Sequence, residues 1–216
     1  MTPASTARAS QTKKRTRIQE EKEERILDAG LKIFSAYGFR GTTVDQIAEK
    51  SGMSKPNLLY YYRRKHDIYL AVLNRTLEMW LDPLEEIDVS GDPEAELSRY
   101  ISRKIEYSKL YPEASRLFIG EILQGAPVLK PVLETRVREL VETKAEVIRA
   151  WIKQGKISNV DPYHLIFMIW AATQHYADFE TQISAVLPGE FARNKVFEDA
   201  SQHVKTIILN GILPRD

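Results

Sequence analysis

The 216-residue sequence contains no cysteine. Disulfides and thiolate metal sites are therefore excluded, and such a chain suits a reducing cytoplasm. Glycine and proline number ten each, too few for a collagen-like or low-complexity chain. No apolar run approaches the roughly 18 residues of a membrane-spanning helix. The longest, "LIFMIWAA" from Leu165 to Ala172, is less than half that length. The N-terminus has no apolar signal segment. A cytoplasmic protein with no membrane partner is expected. The period-two alternation of a half-buried strand is missing throughout, which points to an all-α fold.

Histidine is scarce as well. His66, His164, His175 and His203 are scattered, and no nucleophile with a base at catalytic spacing accompanies them. Asp161 and His164 stand two or three helical turns from His175 and Asp178, too far to share one ion. Neither an enzyme nor a metal or other cofactor is expected. Net charge is nearly absent at +1, but it is unevenly placed. Residues 1–19 hold Arg8, Lys13, Lys14, Arg15 and Arg17 and no acid, so all 30 acidic residues lie beyond them. A basic arm on a mildly acidic body fits a local polyanion contact. A solvated tail has the same composition.

What the chain does contain is helical periodicity from about residue 20 onward. Ile26, Ala29, Gly30, Ile33, Phe34 and Tyr37 share the face of a first helix that Gly38 closes. Later segments fall at about 65–86, 93–110, 114–123, 127–154, 162–186 and 190–211, for about nine helices in all. Asp161 followed by Pro162 is a start signal, a capping side chain before a proline at the first helical position.

Between residues 42 and 65 runs "TTVDQIAEKSGMSKPNLLYYYRRK". Thr43 and Gln46 form a capping box that starts a short helix ending at Gly52. Ser54 is placed to cap a second helix whose first turn holds Pro56. Two short helices joined by "SGMS" make a helix-turn-helix, with Leu58 and Tyr62 turned to the core. Lys55, Asn57, Tyr60, Tyr61, Arg63, Arg64 and Lys65 are left outside or flanking. Hydroxyls and cations contact phosphates, and Asn and Lys read base edges. An αα-hairpin with exposed aromatics would read similarly.

With the preceding helix, this stretch resembles the DNA-binding domain of the TetR family of bacterial transcriptional repressors over about 45 residues. The resemblance implies phosphate contacts from Thr43, Tyr60, Tyr61 and Lys65, and base or groove contacts from Ser54, Lys55, Pro56 and Asn57. It departs at Leu59, where many relatives carry a tyrosine, and at "RRKHD", which lacks a usual serine. The arm, with Lys13, Lys14, Arg15 and Arg17, is expected to follow the DNA backbone or enter a minor groove. The expected division is 1–19 as a flexible basic arm, 20–66 as the DNA-binding domain and 67–216 as a ligand-binding and dimerisation domain. Expected partners are a double-stranded DNA operator, a small-molecule effector and a second copy of the chain.

In the larger part, the helix from Pro162 is apolar on all sides, which implies burial on all sides, one of them against a partner. Phe197, Val204, Ile207 and Ile208 form a second apolar stripe, expected at a homodimer interface; the same stripe would complete a monomer core. Trp170 and Gln174 stand one helical turn apart, and Trp80 lies in another segment. An indole face with a primary amide suits a planar amide or imide, though the same residues also serve in cores. "YPEASRLF", "GAPVL" and "DPYHLIFMIWAATQHYADF" are similar to pyrimidine-responsive members of the TetR family. That similarity implies a pocket for uracil or thymine near Trp80, Lys104, Phe118, Trp170 and Gln174, and control of pyrimidine metabolism genes. Members with the same pattern also sense other small metabolites.

Overall fold

A computed structural model describes residues 17–188 and 192–214, which are helical with no strand among them. The arm residues Lys13, Lys14 and Arg15 lie outside the described residues. Helix α1 (Arg17–Gly41) begins three residues earlier than the periodicity indicates. Arg17 pairs with Glu21 one turn on, at 3.0 Å, which carries the first turn out from the core. Ile26, Ala29, Gly30 and Phe34 are buried as expected, whereas Tyr37 is 59% exposed. Directly after Tyr37 the backbone leaves the helical path at Gly38 (φ 67°, ψ 174°).

Helices α2 (Val44–Ser51) and α3 (Lys55–Tyr61) follow. The long α4 (Lys65–Glu85) leads to α5 (Pro93–Leu110) and α6 (Pro112–Leu123). A short α7 (Lys130–Val132) passes through a π-helical turn (Leu133–Val137) into α8 (Arg138–Lys153). The single helix expected over 162–186 is instead two, α9 (Pro162–Asp178) and α10 (Glu180–Val186). They part at Phe179 (φ −118°, ψ 28°), whose ring stacks on His175 at 4.8 Å. Helix α11 (Arg193–Ile212) ends the fold.

Helix α1 packs on α2, α4 and α6, while α5 lies against α9 and α11. Helix α4 touches both groups and so spans the molecule. Two faces differ from expectation. Phe197, Val204 and Ile208 are buried within the single chain, on the side of α11 that faces α5 and α9. They belong to the core; of the expected interface residues only Ile207 stands out, 59% exposed. Helix α9 buries Leu165, Ile166, Ile169, Thr173 and Ala177 but leaves Phe167 and Met168 about half exposed. Its apolar circumference thus exceeds what one chain covers. No described helix is long and apolar enough to cross a membrane.

Candidate DNA interface and ligand site

The helix-turn-helix is assembled by local signals. Thr43 Oγ1 accepts from Gln46 N at 3.2 Å, and Gln46 Oε1 accepts from Thr43 N at 2.7 Å, closing the capping box. Gly52 adopts φ 68° and ends α2, where a side chain would also collide with Arg25. Arg25 donates to Ser51 O at 2.7 Å and pins that turn to α1. Ile47, Ala48 and Leu58 are buried between the helices, and Tyr62 is half-buried.

The N-terminal end of α3 is bare. Ser54, Lys55, Pro56 and Asn57 are exposed, and Tyr60 is 74% exposed. Tyr61 is half-buried and meets Tyr60 edge-to-face at 5.3 Å. The expected Ser54 cap is absent: its side chain makes no capping bond. Lys55 pairs with Asp45 at 2.9 Å, an exposed contact that contributes little and yields readily to a phosphate. Lys65 donates to Phe39 O (2.7 Å) and Thr42 O (2.6 Å) and sits 4.5 Å from the Phe39 ring centre. Two of its three donors therefore knit α4 to the end of α1, and one remains. The serine missing from "RRKHD" is not replaced as a cap, since Arg64 makes no side-chain capping bond; only the other half of a capping box remains, Asp67 accepting from Arg64 N at 3.1 Å. Asp67 is held below the usual carboxylate range, first by the hydrogen bond from the Arg64 side chain. Arg17 is exposed at the start of α1.

The second cluster lies where α4, α5, α6 and α9 meet. Lys104 is 2% exposed, with Nζ 4.1 Å from the centre of the Trp80 ring. Burial pushes its ammonium down to about 7, opposed by the charge of Asp178. Asp178 is itself raised by burial, and accepts from Ser115 Oγ at 2.5 Å. Trp170 donates Nε1–H to the buried Tyr100 hydroxyl at 2.6 Å, which fixes the indole and leaves its face for packing. Tyr100, Lys104 and Ser108 follow at one-turn steps along α5, and Trp170, Gln174 and Asp178 do so along α9. Gln174 and Phe118 are half-buried. Three of the five expected ligand residues thus have partners in this region that the sequence did not connect to them: Trp80 and Lys104 stand with Asp178 and Ser115, and Trp170 with Tyr100. An acid in the loopward stretch "YAD" and a serine in "YPEAS" were the available signals, and neither marks burial by itself.

Elsewhere, a groove of about 660 Å3 runs between α9, α10 and α11, lined by His175, Tyr176, Ile183, Val186, His203 and Thr206 among others. Asp161 accepts from His164 N as the cap of α9. Among the described residues no group of three or more His, Asp or Glu is placed to hold a metal ion.

Residues 26–72 match the family described as bacterial regulatory proteins, tetR family, and residues 73–215 match the C-terminal region of YcdC-like proteins. The chain belongs to the TetR family. It is 46% identical over 204 residues to the HTH-type transcriptional regulator RutR of Escherichia coli strain K12, covering 94% of this chain and 96% of that one. It is 25% identical to the HTH-type transcriptional repressor SCO4008 of Streptomyces coelicolor, over 80% of this chain and 86% of the other. A putative transcriptional regulator, SCO4942, from the same organism superposes with a TM-score of 0.69 over 90% of this chain and 99% of its own, at 21% identity. A TetR-like regulator from Rhodococcus sp. RHA1 gives 0.65 over 92% and 98%, at 22% identity. This TetR-family chain is a ligand-responsive, DNA-binding transcriptional regulator and not an enzyme.

Within this regulator the two matched regions are joined by a buried hydrogen bond. Tyr69, on α4, donates its hydroxyl to Glu121 Oε2 on α6 at 3.0 Å. Glu121 Oε1 accepts from Val128 N (2.6 Å) and Leu129 N (3.2 Å), holding the α6–α7 connection. The Tyr69 ring lies 4.9 Å from both Phe34 and Phe39 of α1. Desolvation raises the Tyr69 hydroxyl above its ordinary value, so it stays a neutral donor. A lone acid in the apolar run "RLFIGEIL" was the only trace of this tie in the sequence.

Proposed function

We propose that this regulator is a homodimeric repressor whose α3 reads an operator and whose buried cluster binds a pyrimidine such as uracil or thymine, controlling pyrimidine metabolism genes. The observation that carries the ligand reading is Lys104 buried against Trp80, in a site that also contains polar atoms with no protein partner. Such groups are costly to leave unpaired, and a small polar ring with carbonyls and ring N–H groups would satisfy them. Lys104 covers part of the Trp80 ring. Stacking therefore falls to the Trp170 or Phe118 face, with Gln174 across the imide edge.

For the DNA, Ser54, Lys55, Pro56 and Asn57 enter the groove, while Thr43, Tyr60, Tyr61 and the third donor of Lys65 contact phosphates. Lys13, Lys14 and Arg15 add an arm along the backbone, with Arg17 beside them at the start of α1. The expected arm ends where α1 begins, so residues 1–16, 17–66 and 67–216 act as arm, DNA-binding head and sensing body, with α4 crossing between the last two. The dimer face is the exposed apolar surface of Phe167 and Met168 on α9 with Ile207 on α11. Pairing there would cover what one chain leaves bare and give two recognition helices for a two-fold operator.

Thermal shift with uracil and thymine tests the ligand reading. A ligand that binds the native state alone raises its melting temperature in a concentration-dependent way. No shift at millimolar uracil or thymine rejects the pyrimidine and leaves the regulator with another metabolite.

A further inference from the structure

Two buried side-chain polar atoms among the described residues have no hydrogen-bond partner, Trp80 Nε1 and Ser108 Oγ. They flank the same lysine. Lys104 lies over the Trp80 ring, and Ser108 is one helical turn beyond Lys104 on α5. Tyr107, next to Ser108, also meets the Trp80 ring, at 6.4 Å. Ser108 has no exposed surface, so water outside the protein does not serve it.

A helical serine or threonine ordinarily turns its hydroxyl back to a carbonyl of the preceding turn. Thr173 does so with Ile169 O at 2.7 Å, and Thr206 with Gln202 O at 2.9 Å. Ser108 does not. A buried hydroxyl without a partner costs stability that an alanine of nearly the same size would avoid. The indole N–H is a donor only, and the hydroxyl is both donor and acceptor. Together with the Lys104 amine they offer a short array of groups matched to alternating carbonyl and N–H groups on a flat ring.

We infer that Ser108 is a specificity-determining ligand contact, which with the Trp80 N–H and Lys104 selects a small neutral heterocycle bearing an imide edge. The inference rests on the reading of this cluster as the effector site, and it adds a residue to that site. It also gives the unpaired hydroxyl a purpose: the ligand supplies the partner that the fold withholds. Sites built to hydrogen-bond a ligand reject analogues that cannot complete the pairing, because the buried group is then stranded.

Ser108→Ala separates this account from a structural one, because the two predict opposite signs. The purified full-length protein and the variant are melted without ligand and titrated with uracil by calorimetry. Expected is an unchanged or raised melting temperature for Ser108→Ala, with uracil affinity reduced about tenfold. Trp80→Phe, which keeps an aromatic ring but loses the N–H, is expected to weaken uracil similarly. A melting temperature lowered by several degrees in Ser108→Ala would mean that the hydroxyl has a partner within the fold, and would overturn the inference. So would equal uracil affinity in wild type and Ser108→Ala. If uracil and thymine fail to bind the wild type, the pyrimidine reading falls and this inference with it, whereas uracil bound equally by wild type and Ser108→Ala overturns the inference alone.

Discussion

Replacing Tyr69 by Phe removes a single oxygen from the buried tie between α4 and α6. The ring itself is retained, so its contacts 4.9 Å from Phe34 and Phe39 persist and no cavity of consequence opens. What is lost is the 3.0 Å hydrogen bond to Glu121, a group only 2% exposed. Glu121 Oε1 keeps the Val128 and Leu129 amides, while Oε2 is left without its donor. Stranding a buried carboxyl oxygen costs about 1.5–3 kcal/mol. For a protein of about 200 residues that corresponds to a fall of roughly 3–12 °C in melting temperature. The assay is melting by circular dichroism at pH 7 for Tyr69→Phe, Glu121→Gln and the double variant. The double variant should be less unstable than the sum of the singles by more than about 0.5 kcal/mol. Strictly additive effects would refute the tie. The same bond joins α4 to α6, which also carries Phe118 and Ser115. Tyr69→Phe is therefore expected to shrink the change in DNA affinity that effector produces, while both binding activities persist.

Lys104→Met keeps the volume and discards the buried amine. Burial lowers the folded-state pKa to about 7 from the ordinary 10.5, so the native chain holds fewer protons than the unfolded one between those values. Wild-type stability should thus gain as pH rises from 7 toward 10, and the advantage of Lys104→Met, greatest below pH 7, should shrink over that window; parallel melting curves would contradict this. Ile207→Glu is expected to yield a folded monomer by light scattering, because it charges an exposed face. Val204→Glu should instead unfold the chain, because Val204 is core; a dimeric Ile207→Glu would place the interface elsewhere. Tyr60→Ala should leave melting unchanged, given its exposure, and weaken binding evenly across DNA sequences. A gel-shift titration matching wild type would remove Tyr60 from the DNA surface.

Helix starts were legible in both parts of the chain because their signals are local. Thr43 and Gln46 are three residues apart and bond to one another, and Asp161 with Pro162 declares α9 without help from any distant residue. Periodicity was weaker evidence for the body. It marked α11 as apolar at Phe197, Val204, Ile207 and Ile208 but could not tell which neighbour covers each one. The chain's own α5 and α9 take three of them. The break at Phe179 carries no glycine or proline to announce it, and its ring rests on that of His175 one turn back. Tyr69 and Glu121 are 52 residues apart, so neither signals the other along the chain. The same holds for Trp170 with Tyr100, and for Ser115 with Asp178. A buried polar pair needs both partners to be recognised, and only the fold brings them together.

The central claim is that one chain couples a pyrimidine in the Trp80–Lys104 cluster to operator release. The direct measurement is fluorescence anisotropy of a duplex that the purified protein itself has selected from random DNA, titrated with and without saturating uracil. The account predicts that uracil weakens operator binding at least tenfold in wild type, and that the operator weakens uracil binding by the same factor. It predicts no response to uracil in Gln174→Leu, whose ligand-free operator affinity stays at the wild-type value. An operator affinity indifferent to uracil, in a protein to which calorimetry shows uracil bound, would contradict it.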